Sequence, residues 1–268
     1  MLKDITLGQY FPGKSVIHRL DPRTKLIALV IYIAALFTAG GWIGYALCGG
    51  FLVFVVGISG IPAKSILRSL KPLWMIMLIT FILNLFFFQG ETVLVAIGAL
   101  RLTVEGVVQA VQMCLRIILL ITSTFLLTYT TSPIALTDGL ESLLNPLKKI
   151  HVPVHELSMM MSIALRFIPT LIEETNKIMA AQKARGADFE SGSLMERVRA
   201  LIPILIPLFI SAFRRAIELA TAMECRCYHG GDGRTKMKLL RYGRHDLIAF
   251  GVCALLLGCV IGLGVLGL

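Results

Sequence analysis

Long apolar runs separated by short basic connections set the pattern of this chain. A membrane span needs about 20 mostly apolar residues. Five stretches meet or approach that length: 26–42, 45–59, 72–88, 107–128 and 247–265. The first two are parted by Gly40, Gly41 and Gly44, and the fourth carries Arg116 inside it. Two further apolar patches, 157–172 and 201–212, are interrupted by charge and proline. Arg166 and Pro169 lie in one; Pro203 and Pro207 lie in the other, with Arg214 and Arg215 just beyond.

The stretch 132–246, which holds both patches, reads as long helices. Ser132 before Pro133 is a helix start, since Ser caps the first turn and Pro fits the first helical position; this helix is expected to run to about Ile150. Pro153 disfavours helix at Val152 and sets a break. A second helix is predicted from about Pro153 to Ala184, stopped by Gly186. A third is predicted from about Leu194 to Tyr228, stopped by Gly230 and Gly231. Helices of about 30 residues are about 45 Å long. They are apolar over one half and amphipathic over the other, and their prolines are expected to bend them.

Charge then assigns sides. Of the 26 Lys and Arg residues, all but Arg101 and Arg116 fall in 1–25, 60–71 or 132–246. The positive-inside rule places these three regions in the cytoplasm, with the N-terminus inside and the C-terminus outside after an odd number of spans. Composition agrees: 56% of residues are hydrophobic, 16% are charged, and the mean hydropathy is +0.81. That excludes an ordinary soluble domain. The net charge of +10 belongs with anionic lipid at a cytoplasmic face rather than with nucleic acid. The first 25 residues offer no apolar core of the length a cleaved signal peptide needs.

The two long cytoplasmic helices end alike. Ala184-Arg185-Gly186 closes one and Cys225-Arg226-Cys227 closes the other, each an arginine between small residues. A guanidinium presents a rigid fork of donors suited to carboxylates in a protein groove. A single arginine near a helix C-terminus is usually just solvated and favoured by the dipole; two in matched settings argue for docking. Cys225, Cys227 and His229 lack zinc-site spacing, and His151 and His155 are separated by Pro153, so no metal site and no cofactor is expected. No GxxxxGK[ST], HExxH or GxSxG is present, so no catalytic residue is assigned. A self-contained secondary transporter or channel is the alternative, but such proteins place ionisable groups within their spans. Here Arg116 stands alone, with no internal acid.

Asp21-Pro22-Arg23-Thr24-Lys25 before the first span, Thr131-Ser132-Pro133 with Pro146-Leu147-Lys148, Leu165-Arg166-Phe167-Ile168-Pro169, and the two arginine-bearing helix ends occur in one order across the chain. Together they resemble the transmembrane T component of energy-coupling factor transporters, a class of ABC importer for vitamins and related micronutrients. The resemblance implies an all-α polytopic membrane protein with about five transmembrane helices: 1–131 as N-terminal spans, 132–246 as a cytoplasmic coupling domain of long helices, and 247–268 as the last span. It implies two ABC ATPase subunits docked at Ala184, Arg185, Gly186, Cys225, Arg226 and Cys227. It also implies a membrane substrate-binding S component beside the bilayer-embedded chain. The second arginine motif departs from the family's Ala-Arg-Gly pattern in both neighbours. The apolar cytoplasmic patches, with Met159, Met160, Met161 and Ile204, are expected to meet the S component, because methionine adapts to varied partners.

Overall fold

The structure, a computed structural model, describes residues 10–87, 92–97, 100–189, 193–230 and 239–265. It is an all-α polytopic membrane protein. The chain separates into two compact units, one made of 8–142 with 240–268 and the other built from 143–239.

In the first unit a short α1 (Val16–Arg19) precedes α2 (Pro22–Thr38). Asp21 starts α2 by accepting the Arg23 N–H at 2.9 Å, with Pro22 at the first position. Extended Ala39 ends it, and Gly41 leads into α3 (Trp42–Ser59). Left-handed Gly60 (φ 72°) closes α3, and α4 (Ala63–Leu70), a 3-10 turn at Lys71–Leu73 and α5 (Trp74–Phe87) follow. An antiparallel hairpin, β1 (Val93–Ile97) and β2 (Leu100–Thr103), pairs Val93 with Thr103 and Ile97 with Leu100. Thr103 then caps α6 (Val104–Thr130) by accepting the Gly106 N–H at 3.1 Å. The larger part of α7 (Pro133–Leu144) belongs here too. At Gly139 a Cβ would come within 2.9 Å of the Pro22 Cβ, so only glycine lets α7 approach the start of α2 this closely. The last described helix, α10 (Arg244–Val265), packs along α2 and α3. The core of the unit gathers Tyr32, Ala35, Leu36, Cys48, Leu52 and Val260 from α2, α3 and α10. Its buried Tyr32 hydroxyl donates to the Cys48 carbonyl at 3.2 Å.

The second unit opens with a 3-10 stretch, Asn145–Ile150, and left-handed His151 (φ 62°). Then come α8 (Val154–Ala184) and α9 (Leu194–Glu224), which pack on one another. Ser193 and Glu196 form a reciprocal capping box at the start of α9. Glu174 of α8 bonds the Ser211 hydroxyl and pairs with Arg215 of α9 at 2.9 Å. Pro169, Pro203 and Pro207 lie within continuous helix.

Among the described residues, five helical segments are long and apolar enough to cross a membrane: Trp42–Ser59, Ala63–Phe86, Val104–Thr130, Val198–Glu224 and Arg244–Val265. The number matches the hydropathy reading, but the membership differs. The apolar run 26–42 forms a helix only as far as Thr38, because the chain breaks at Ala39–Gly41, and α2 is left at 17 residues. Conversely α9, set aside for its prolines and charges, is unbroken and apolar through most of its length, so 201–212 belongs to a helix of spanning length. The hairpin occupies a stretch that hydropathy reads only as a connection. The predicted helix from Ser132 to about Ile150 changes to 3-10 geometry after Leu144, where Pro146 enters.

Candidate functional site

The ends of α8 and α9 share one backbone design. At α8 the Arg185 N–H reaches the Gln182 carbonyl, the Gly186 N–H the Lys183 carbonyl, and the Ala187 N–H the Gln182 carbonyl, each at 3.0 Å. At α9 the Arg226 N–H reaches Met223 at 3.0 Å, the Cys227 N–H reaches Glu224 at 2.9 Å, and the Tyr228 N–H reaches Met223 at 3.1 Å. Every donor and acceptor in the second set lies 41 positions after its counterpart, as Arg226 does after Arg185. The pattern is a Schellman closure, in which a left-handed residue turns the chain back to satisfy the last carbonyls of the helix. Gly186 fills the left-handed position at φ 88° and Cys227 at φ 55°. The match in small residues seen in the sequence is thus a match in conformation.

Both arginines immediately precede the left-handed residue, and both are exposed. Neither has an ion-pair or hydrogen-bond partner for its side chain among the described residues. Ala184, Gly186, Cys225 and Cys227 are exposed as well, and both cysteines are free thiols. Each end therefore offers an uncommitted guanidinium on a capped, uncrowded helix terminus; no atom lies within 4 Å of a Cβ built on Gly186.

The apolar positions expected to meet a membrane partner divide. Met160 and Met161 are about half exposed, at 54% and 47%, and Met159 is half-buried. Ile204 is 4% exposed, so it does not lie on a free surface. The open face of α9 is carried instead by Leu205, Ile206, Phe209, Ile210 and Phe213. A helix apolar all round gives no period from which to read its inner side.

A third cluster sits where α1, α2, α6, α7 and α10 converge. Asp21 receives the Arg23 guanidinium through both carboxylate oxygens, at 3.1 and 2.9 Å. Burial pushes the Asp21 carboxyl up, but the hydrogen bonds and charge of Arg23 outweigh it and hold the group below its ordinary range. Arg23 also donates to the Ser142 hydroxyl at 3.2 Å and lies over the Tyr242 ring at 4.2 Å. Asp246, 4% exposed, accepts the Asp21 N–H at 2.9 Å and the Gly243 N–H at 2.7 Å. Lys25 donates to the Thr130 carbonyl at 2.8 Å and the Thr131 hydroxyl at 3.3 Å. The sequence marks Asp21 to Lys25 as a motif but gives no sign of Tyr242 or Asp246, whose roles depend on a fold that brings them across more than 200 residues.

Arg116 of α6 faces protein. It donates to the Tyr45 hydroxyl at 2.5 Å and stands over the Phe37 and Tyr45 rings at 5.4 and 5.6 Å. Its cost within a span is met by α2 and α3 rather than by an acid. Among the described residues no group of three or more metal-ligating side chains gathers.

Comparison with known proteins gives this geometry its context. The family described as "Cobalt transport protein" (CbiQ) matches residues 13–237. Curated relatives are named "Energy-coupling factor transporter transmembrane protein EcfT". One from Thermosediminibacter oceani is 56% identical over 255 residues, covering 95% of this chain and 96% of that protein. One from Acidaminococcus fermentans is 56% identical and covers 92% of each. One from Bacillus subtilis is 50% identical over 92% of this chain and 93% of that protein. With matched arginine ends on α8 and α9, a multi-helix membrane unit and relatives alike over nearly their whole length, the chain belongs to the CbiQ family as a transmembrane energy-coupling component of an energy-coupling factor transporter.

Proposed function

We propose that the chain is a non-enzymatic coupling subunit that docks two cytoplasmic ABC ATPases, one at Arg185 and one at Arg226, and passes their motion through α8 and α9 to a substrate-binding S component for a vitamin or related micronutrient. The observation that carries this reading is the duplicated Schellman end, which sets an arginine without a side-chain partner among the described residues just before the left-handed residue on each of two packed helices. Two equal docking points suit two copies of one kind of partner. Each arginine then forms charge-assisted bonds to a carboxylate on its ATPase. The small, exposed neighbours let the partner approach the helix end. The cysteines of the second end stay small enough for this.

The S component meets the apolar sides of α8 and α9, at Met160 and Met161 on the first and at Leu205 and Phe209 on the second. These side chains are too exposed and too apolar to face water. In this arrangement α2 crosses the membrane and α9 does not, the arginine ends are cytoplasmic, the N-terminus is inside and the C-terminus is outside, as the bias of the basic residues favours.

Co-purification in mild detergent tests the assignment. Arg185→Glu with Arg226→Glu is expected to lose both ATPases while the chain still inserts and retains the S component. Met160→Asp is expected to do the reverse. Retention of both ATPases and full uptake in the double variant would sink the docking assignment. Loss of the ATPases before the S component in Met160→Asp would reassign the apolar surface.

A further inference from the structure

A cavity of about 260 Å³ opens in the membrane unit among α1, α2, α3, α6 and α10. Its wall is apolar, with Leu29, Tyr32, Phe51, Leu52, Val55 and Leu126. Phe54, Ile58, Ile248 and Val252 line it from exposed positions on the outside of the helices. One end is polar, with Thr24, Lys25, Thr130 and His245.

Thr24 is the unusual member. It is fully buried, and its hydroxyl has no hydrogen-bond partner among the described residues. Thr124, Thr128 and Thr130 of α6 each donate to a carbonyl three or four residues earlier. Thr24 lies in the first turn of α2, and the residue four before it, Leu20, is extended and outside the helix. The acceptor four residues earlier, which Thr124, Thr128 and Thr130 use, is therefore missing. A buried donor left so costs free energy until something accepts its proton. Water is a poor answer, because a buried water needs two to four polar partners. Of the other polar groups at this end, His245 is exposed and the two buried ones are already used. Lys25 is held by Thr130, Thr131 and His18, and the Thr130 hydroxyl by Leu126.

The cavity thus suits a ligand with one hydrogen-bond acceptor at its polar end and a flexible apolar chain beyond. The same end is positive outside. Arg19 adjoins the lining residue Leu20, and Arg244 adjoins His245; all three basic side chains are exposed. The two carboxylates nearby are occupied, Asp21 by Arg23 and Asp246 by two backbone N–H groups. We propose that the cavity binds one acyl chain of an anionic glycerophospholipid, with its ester carbonyl accepting from the Thr24 hydroxyl and its phosphate among Arg19, Arg244 and His245. The ligand comes from the leaflet that this basic end faces.

The test uses the complete transporter in vesicles of phosphatidylcholine and phosphatidylglycerol, with a trace of phosphatidylglycerol carrying a diazirine in its acyl chain. After irradiation, adducts are mapped by mass spectrometry. Adducts are expected on α2, α3 and α10 at Tyr32, Phe51 and Val252. Thr24→Val, which keeps the side-chain shape, is expected to lower their yield about fivefold, the worth of one hydrogen bond, without lowering the thermal midpoint. Ala249→Phe fills the cavity and is expected to abolish them. The same diazirine chain on phosphatidylcholine is expected to label several-fold less. Adducts spread evenly over the exposed faces of α5 and α10, unchanged by Thr24→Val, would overturn the site. Equal labelling by the two headgroups would overturn the anionic selectivity.

Discussion

The left-handed residues that close α8 and α9 allow a paired test with opposite signs. A residue with a Cβ held in the left-handed region costs about 1–2 kcal/mol relative to the right-handed one. Gly186 avoids that cost at φ 88°, whereas Cys227 bears it at φ 55°. Gly186→Ala adds the backbone penalty alone, since nothing lies within 4 Å of the new Cβ. A more restricted unfolded chain offsets about 0.4–1 kcal/mol of it. The net expectation is a loss of about 1 kcal/mol at the end of α8. Cys227→Gly removes the penalty and takes on the entropy of glycine, for a net gain of about 0.5–1 kcal/mol at the end of α9. Because helix ends open locally, amide hydrogen exchange in detergent is the right assay. One kcal/mol corresponds to about a fivefold change in protection. Gly186 and Ala187 amides are expected to exchange about fivefold faster in the first variant. Amides at 227 and 228 are expected to exchange two- to fivefold slower in the second. Unchanged protection in both variants, or faster exchange in Cys227→Gly, would refute the conclusion that the two ends share one left-handed closure, strained only where the residue has a Cβ.

The cluster at the start of α2 gives two further expectations. Asp246→Asn leaves one oxygen for two backbone N–H donors and turns an amide NH₂ toward the other, at a cost of about 1–3 kcal/mol; it is expected to lower the thermal midpoint in detergent by several degrees. The Asp21 carboxyl is held below its unfolded value, so its contribution is present at neutral pH and is lost as pH falls below the ordinary carboxylate range through the folded value. The midpoint should therefore drop on acidification over that window, and Asp21→Asn should be lower at neutral pH with a shallower acid slope. In a variant lacking native cysteines, a cysteine at Gly41 should react with a membrane-impermeant reagent in intact cells and one at Asp188 should not; labelling at 188 would reverse the proposed sidedness.

What could be read from the sequence follows from how local each signal is. The start of α2 is written in Asp21 and Pro22, and the end of α8 in Gly186, because capping involves neighbours. The end of α9 is hidden, since cysteine is not a residue from which left-handed geometry is read, and only alignment with the first end exposes it. Ile204 was misplaced because the 201–213 stretch of α9 around it is apolar on all sides. The partnership of Asp246 with Asp21 spans 225 positions and leaves no local trace. Apolar length decided the helices of spanning length well except at Ala39–Gly41, where the backbone breaks, and in α9, whose prolines and charges leave the helix unbroken.

The hydrogen bond from Asp21 to Asp246 also sets an order of events during synthesis. The start of α2 receives its acceptor from a helix made 225 residues later, and α2 packs along that same helix. The intervening stretch includes the whole of the 143–239 unit. A nascent chain must therefore hold its early helices in the membrane, incompletely covered, while a separate unit is translated and begins to fold. Only when α10 leaves the ribosome can the membrane unit close. Pairings this distant in sequence are slow to form and leave apolar surface open to wrong partners meanwhile. A chain stopped before residue 246 carries every residue of both arginine ends, yet it lacks the piece that completes the start of α2.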